Sequence, residues 1–185
     1  LGTGRAGTVW LAVHIGLEEY RAIKRISKRD ADYDSFRREA LVLKELHHPG
    51  IPMIYDLEED SEFFYLIEEY LEGYSLYALI ANQGPIQEAE AVRYGMQVCG
   101  LVAYMHSACE IPILHLDLQP NNLIICNGTV KLIDFDHAAG CRWANIAPKR
   151  FGTVGCAAPE QYDSDRMLDQ RTDIYAIGAV LRFMT

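Results

Sequence analysis

The sequence predicts an α+β fold, as one domain or two small lobes sharing a cleft, with a strand-rich first part followed by a helix-rich second part. Three observations predict it. Short β-prone runs and turns fill most of the chain before residue 70, apolar residues at helical spacing dominate after residue 75, and no repeat or low-complexity linker separates the two. The change of character falls near residues 69–75 and divides the chain into 1–70 and 71–185. With 185 residues, half of them hydrophobic, there is enough apolar material for a sizeable core.

The elements follow in order. Residues 8–13 and 20–26 are β-prone and flank a turn containing Gly16, which predicts a hairpin. Phe36, Ala40, Leu43 and Leu46 recur at helical spacing, and His48-Pro49-Gly50 ends the stretch. Strands are expected near 52–58 and 63–69, joined by the acidic turn 58–62. Gly73 and Gly84-Pro85 bracket a short helix. Ala91, Gly95, Val98, Val102 and Met105 mark the buried stripe of a long one. Two strands, near 123–126 and 129–133, meet at Asn127-Gly128, a dipeptide that favours the positive φ of a tight turn. A long loop runs from 134 to about 160, and Ile174, Ile177, Leu181 and Met184 mark a last helix.

Composition narrows the function. Seventeen basic against 26 acidic residues give a formal net charge of −9, which argues against general nucleic-acid binding, since that needs a basic stripe. The five cysteines, at 99, 109, 126, 141 and 156, form no C-x-x-C pair, so reduced thiols fit better than a disulfide framework or a zinc site. No apolar run approaches the roughly 18 residues of a membrane span, and the first residues carry no signal pattern. The chain opens inside a motif and ends inside a helical pattern, and so reads as a fragment.

The first motif is Leu1-Gly2-Thr3-Gly4-Arg5-Ala6-Gly7-Thr8-Val9. Glycines at 2, 4 and 7 let backbone amides approach a phosphate. Alone they equally fit a plain hairpin. A dinucleotide loop would need a helix directly after them, whereas residues 9–13 read as strand, which favours a loop over phosphates between two strands. Lys24 lies on the next strand between apolar neighbours. A buried ammonium needs a counter-charge, and Glu39, on the helical face of Leu43 and Leu46, is the candidate.

The most informative segment is Leu114-His115-Leu116-Asp117-Leu118-Gln119-Pro120-Asn121-Asn122-Leu123-Ile124, followed by Lys131-Leu132-Ile133-Asp134-Phe135-Asp136. It resembles the H-R-D-L-x-x-x-x-N loop and D-F-G motif of eukaryotic-type protein kinases. The glycine loop, strand lysine, helix glutamate and Ala158-Pro159-Glu160 recur in the family's order, so the resemblance covers essentially the whole chain. It implies a bilobal protein-kinase-like fold, with an N-lobe at 1–70 and a partial C-lobe at 71–185. It implies transfer of the ATP γ-phosphate to serine or threonine hydroxyls of protein substrates, with Mg²⁺ (or Mn²⁺). Asp117 would accept or orient the hydroxyl proton. Asn122 and Asp134 are oxygen ligands suited to Mg²⁺. Lys24, paired with Glu39, would hold the α/β-phosphates, Gly2, Gly4 and Gly7 would cover them, and Leu1 would belong to the cofactor-binding set. Val9, Ala22 and Ile124 would sandwich the adenine, Glu69 and Leu71 would offer it backbone hydrogen bonds, and Glu68 would lie behind it. Leu43, Ile54, His115, Phe135 and Asp173 would form a stack linking the lobes, and Thr153 would hydrogen-bond Asp117. Residues 152–161 resemble the peptide-binding loop of bacterial members, and the overall wording is similar to kinases of low-GC Gram-positive bacteria. The implied location is the cytoplasm, free or as the cytoplasmic part of a membrane-anchored kinase.

Four residues depart from the family. Leu116 replaces the arginine that usually pairs with a phosphorylated activation loop, and residues 137–152 contain no Ser, Thr or Tyr. The two absences agree, and imply activity that does not depend on phosphorylation within that loop. Gln119 replaces a lysine that contacts the transferring phosphate, leaving a neutral donor in its place. Asp136 replaces the glycine of D-F-G, and Glu68 stands where an apolar residue or threonine is usual. A carboxylate at 68 needs a partner or a raised pKa. Two other readings stay open: a pseudokinase that binds ATP or a partner without turnover, and a small-molecule phosphotransferase, which Ile133-Asp134-Phe135-Asp136 resembles but which lacks Ala158-Pro159-Glu160. In the family an arginine beyond residue 185 pairs with Glu160, so Glu160 is expected to lack a partner here, and the fragment to be less stable and less active than a longer chain.

Overall fold

The computed structural model describes residues 2–4, 7–31, 33–140, 152–163 and 165–185. Five strands, β1 (Gly2–Gly4), β2 (Gly7–His14), β3 (Glu19–Ser27), β4 (Ile54–Glu59) and β5 (Phe63–Glu69), form one antiparallel sheet in the order β1-β2-β3-β5-β4. β2 and β3 pair from Thr8↔Arg25 to His14↔Glu19. The turn between them is where the sequence expected it, but its left-handed residue is Glu18 (φ 54), not Gly16. The Glu18 N–H closes the turn on His14 O (2.8 Å).

Helix α1 (Tyr33–Glu45) packs on β4 and β5. It buries Phe36, Ala40 and Leu43, with Leu46 just beyond its end. Phe36 stacks on Phe64 of β5 with ring centres 4.9 Å apart. The apolar stripe read in the sequence is therefore the face that docks on the sheet, and this docking carries Glu39 toward β3.

The second part is mainly helical. β6 (Tyr74–Ser75) leads into α2 (Leu76–Gln83), and Ser75 caps it by accepting from Ala78 N–H (3.1 Å). Helix α3 (Glu88–Ser107) buries the predicted stripe together with Tyr94 and Leu101. Strands β7 (Leu123–Cys126) and β8 (Thr129–Leu132) complete a three-stranded sheet, β6-β7-β8. Their hairpin turns on Asn127 (φ 49) and Gly128 (φ 77), the conformation that dipeptide favours. Residues 134–140 and 152–160 are largely irregular, with a bridge between Leu114 and Ala139 and a 3₁₀ turn at Pro159–Tyr162.

Helix α4 (Gln170–Met184) corrects the expected stripe. It starts earlier than predicted, capped by Asp169, which accepts from Arg171 N–H (2.9 Å). Its buried face is Thr172, Asp173, Ala176, Ile177, Val180 and Met184, while Ile174 and Leu181 are exposed. Spacing alone favoured the apolar letters, but the helix docks through the face carrying buried Asp173. The two parts also join by Leu132 N–H on Gly50 O (2.8 Å) and His47 N–H on the Tyr104 hydroxyl (2.7 Å). No helix among the described residues is long and apolar enough to cross a membrane.

Leu66 is fully buried in β5, between the sheet and α1. Leu66→Ala is expected to cost about 2–5 kcal/mol, read as a lower urea midpoint at unchanged slope.

Candidate active site

Strand register places the first group. Val9 lies opposite Lys24, and Ala22 lies opposite Glu68, in antiparallel pairs that put partners on the same face. Ala22 and Lys24 are two residues apart, so Val9, Ala22, Lys24 and Glu68 share one face of the sheet. Gly7 opens this edge at φ 131, where a Cβ would meet Arg25 O at 2.3 Å. Only a glycine fits there.

The Lys24 ammonium reaches Glu39 Oε2 (2.8 Å), Glu39 Oε1 (3.0 Å) and Asp134 Oδ1 (2.8 Å). Lys24 and Glu39 are both buried. Burial alone would push the Lys24 pKa down, but the charges of Glu39, Asp134 and Asp136 outweigh it and hold it above the ordinary value. Burial likewise opposes the Asp134 carboxylate, but Lys24 beside it prevails and lowers its pKa. Glu39 Oε1 also accepts from Phe135 N–H (3.2 Å), so α1 grips the 134–136 segment directly. Asp134 takes a left-handed φ of 65, a region that aspartate tolerates better than most residues.

The loop of residues 114–122 hangs on Asp173 of α4. This carboxylate is buried and accepts from His115 N–H (3.0 Å) and Leu116 N–H (3.0 Å), with the His106 ring at 2.8 Å. The His115 ring meets Phe135 edge-on at 5.0 Å between centres. Leu43, His115, Phe135 and Asp173 of the predicted stack are all buried, and Ile54 is half-buried against the same core. Asp117 receives three side-chain donors: Thr153 Oγ1 on Oδ1 (2.7 Å), and Gln119 Nε2 (2.8 Å) and Asn122 Nδ2 (3.1 Å) on Oδ2. Asn122 Nδ2 also donates to the Asp117 carbonyl (2.9 Å).

These residues fit a divalent cation. Four carboxylates, Glu39, Glu68, Asp134 and Asp136, interact electrostatically with a single ammonium. Asp136 Oδ1 is buried and accepts no hydrogen bond, with His137 Nε2 at 3.5 Å. Burial, and then the charge of Asp134, push the Asp136 pKa up. Asn122 spends its amide hydrogens on Asp117, which leaves its carbonyl oxygen as a ligand atom. Among the described residues no three His, Cys, Asp or Glu side chains make a metal site unaided. Mg²⁺ takes one or two protein carboxylates and fills its shell with water and phosphate oxygens.

The remaining predicted positions are less tightly grouped. Ile124 lies on β7 in the other sheet, half-buried. Glu69 ends β5 and gives its N–H to Met53 O (2.8 Å), so only its carbonyl is available to adenine. Leu71 follows at the start of the connection and is half-buried. Gly2 and Gly4 are in β1, while Leu1 and the 141–151 stretch of the long loop lie outside the described residues.

One expectation needs correction. Glu160 accepts from Thr172 Oγ1 (2.8 Å) and so does not lack a partner. Gln119 is the neutral donor expected in place of the lysine, and it gives an amide hydrogen to Asp117 Oδ2 (2.8 Å). The sequence reading also missed Gln161 and His106 as binding partners of this loop. Neither belongs to a spaced pattern, and only the approach of distant segments reveals their contacts.

Glu68 has the other answer foreseen for it. Half-buried, it is raised to about 8, chiefly by burial and then by the charge of Glu39, with Lys24 offsetting part of the effect. Between the ordinary 4.5 and about 8 the folded chain keeps a proton that the unfolded chain releases. Stability from this group is therefore full below that window and falls as pH rises through it. In Glu68→Met the melting temperature is expected to rise relative to wild type more at pH 8.5 than at pH 5, measured by scanning calorimetry.

Comparison with known proteins agrees with this geometry. The protein kinase domain family matches residues 1–185. Serine/threonine-protein kinase PrkC of Bacillus subtilis is 34% identical over 98% of this chain and 28% of its own length. Aurora kinase of Eremothecium gossypii is 33% identical over 97% of this chain and 49% of its own length. Calcium-dependent protein kinase 5 of Plasmodium falciparum is 32% identical over 98% and 32% respectively. The chain thus spans less than half the length of each of these three curated relatives.

Proposed function

The chain belongs to the protein kinase family, and we propose that it transfers the γ-phosphate of ATP to serine or threonine hydroxyls of protein substrates. The observation that carries this reading is the meeting of Lys24, Glu39 and Asp134 within 3.0 Å, beside an Asp117 held by Thr153. Kinases as a family use ATP and a divalent metal ion. The names of the similar kinases of Bacillus subtilis and Schizosaccharomyces pombe support the serine/threonine class.

Each residue then has a part. Lys24 holds the α/β-phosphates, and Glu39 keeps its ammonium in place. Gly2, Gly4 and Gly7 cover the phosphates with backbone. Val9, Ala22 and Ile124 flank the adenine, the Glu69 carbonyl and the Leu71 backbone bond its edge, and Glu68 lies behind it. Asn122 and Asp134 hold the metal ion, which when bound neutralises charge on the phosphate oxygens. Asp117 has about four lone-pair positions, and Thr153, Gln119 and Asn122 fill three. The one left is on Oδ1, so the substrate hydroxyl gives its hydrogen bond, and its proton, there. In this reading the chain divides into an N-lobe at 1–70 and a C-lobe beginning at 71, and it serves bacterial signalling from the cytoplasm.

Radiolabel transfer from Mg²⁺-ATP to a generic protein tests the activity. Wild type is expected to transfer label, and Asp117→Ala to lose about 10²-fold or more of kcat, with chelation by EDTA abolishing transfer. Equal signal from both proteins would leave an ATP-binding module without turnover.

Leu116 leaves the catalytic loop without an arginine to grip a phosphate, and its side chain is buried. Phosphatase-treated protein is therefore expected to keep its rate within about twofold in the same transfer assay. A large gain from a phosphate on Thr153, located by mass spectrometry, would overturn this independence.

A further inference from the structure

Gln161 has no part in the roles above, yet it is buried at 3% exposure in the turn that follows the Ala158-Pro159-Glu160 motif. Its side chain ties two segments together. Nε2 donates to the Leu116 carbonyl (2.7 Å), and Oε1 accepts from Ala158 N–H (3.0 Å). Its neutral amide offers both a donor and an acceptor at the end of the side chain.

The atom it holds has a particular place. The Leu116 carbonyl and the Asp117 N–H belong to one planar peptide unit, so fixing the first fixes the second. That N–H meets His115 Nδ1 (3.3 Å). On its other side Leu116 is held by Asp173 Oδ1 through its own N–H (3.0 Å). Leu116 itself sits at φ 64, a left-handed conformation that a leucine keeps only where its surroundings enforce it. Releasing the carbonyl would let this residue relax, and the peptide carrying Asp117 would rotate with it. The segment that begins at Thr153 also reaches Asp117, through Oδ1, so the substrate-side loop contacts the catalytic aspartate at side chain and backbone together.

We propose that Gln161 is a positioning residue for phosphoryl transfer: its amide clamps the Leu116–Asp117 peptide to the Thr153–Gln161 loop and sets the aim of Asp117 without a phosphorylated side chain. This rests on the kinase reading above. It adds a residue that couples substrate loop and catalytic loop where position 116 carries no arginine.

The test uses Gln161→Glu and Gln161→Met in the full-length chain. Ionised, the glutamate turns the donor into an acceptor facing the Leu116 carbonyl, and protonated it restores both bonds. At pH 8 both variants are expected to lose at least about tenfold in kcat, with the Kd for ATP within about twofold of wild type. As the pH falls toward 6, the ratio of Gln161→Glu to wild type is expected to recover, while that of Gln161→Met stays low. Amide exchange across residues 114–118 is expected to speed up in Gln161→Met, with α3 unchanged. A kcat within about threefold of wild type for both, a glutamate deficit that ignores pH, or unchanged exchange at 114–118 would overturn the proposal. If wild type transfers no phosphate, the kinase reading falls, and the exchange measurement alone decides the role of Gln161.

Discussion

The Lys24 ammonium lies 2.8 Å from Glu39 and 2.8 Å from Asp134, side chains 15 and 110 residues away along the chain. A buried ammonium needs a counter-charge, and Glu39 and Asp134 both supply one to Lys24 at this distance. The packing of α1 on β4 and β5 brings in Glu39, and the hairpin of β7 and β8 leads into Asp134. The ion pair is thus where the two parts of the fold meet. Asp136 and Glu68 add further carboxyl groups close enough to interact with this ammonium.

Asp173 has a similar place in the helical part. One buried carboxylate accepts two backbone N–H groups of the catalytic loop and contacts His106. Hydrogen bonds to backbone donors stabilise the charged form of a carboxylate, which offsets the cost of burying it. The same bonds hold Leu116 at its left-handed φ. The strain is thus local and is balanced by contacts from α4 and from Gln161.

The four departures from the family form a coherent set around these two centres. Leu116 is accommodated as a buried apolar side chain, and its backbone is held by Asp173 and Gln161. Gln119 turns to Asp117 and joins Thr153 and Asn122 in orienting it. Asp136 and Glu68 add negative charge near Lys24, and the raised pKa of each shows that the cleft resists carrying all of it at once. None of the four removes Lys24, Glu39, Asp117, Asn122 or Asp134.

The sequence by itself determined the order of elements, the stripes of α1 and α3, the Asn127-Gly128 turn and the identity of the Lys24–Glu39 pair. These follow from local periodicity, turn chemistry and ordered motifs, which are written in neighbouring letters. It misjudged α4, where Ile174 and Leu181 fit an apolar stripe but the docking face is set by Asp173. It could not assign Thr172 to Glu160, Gln161 to Leu116 or a raised pKa to Glu68. Only the tertiary structure decided those, because a hydrogen bond or a desolvation cost depends on which segments approach within about 3 Å, and that distance has no signature along the chain.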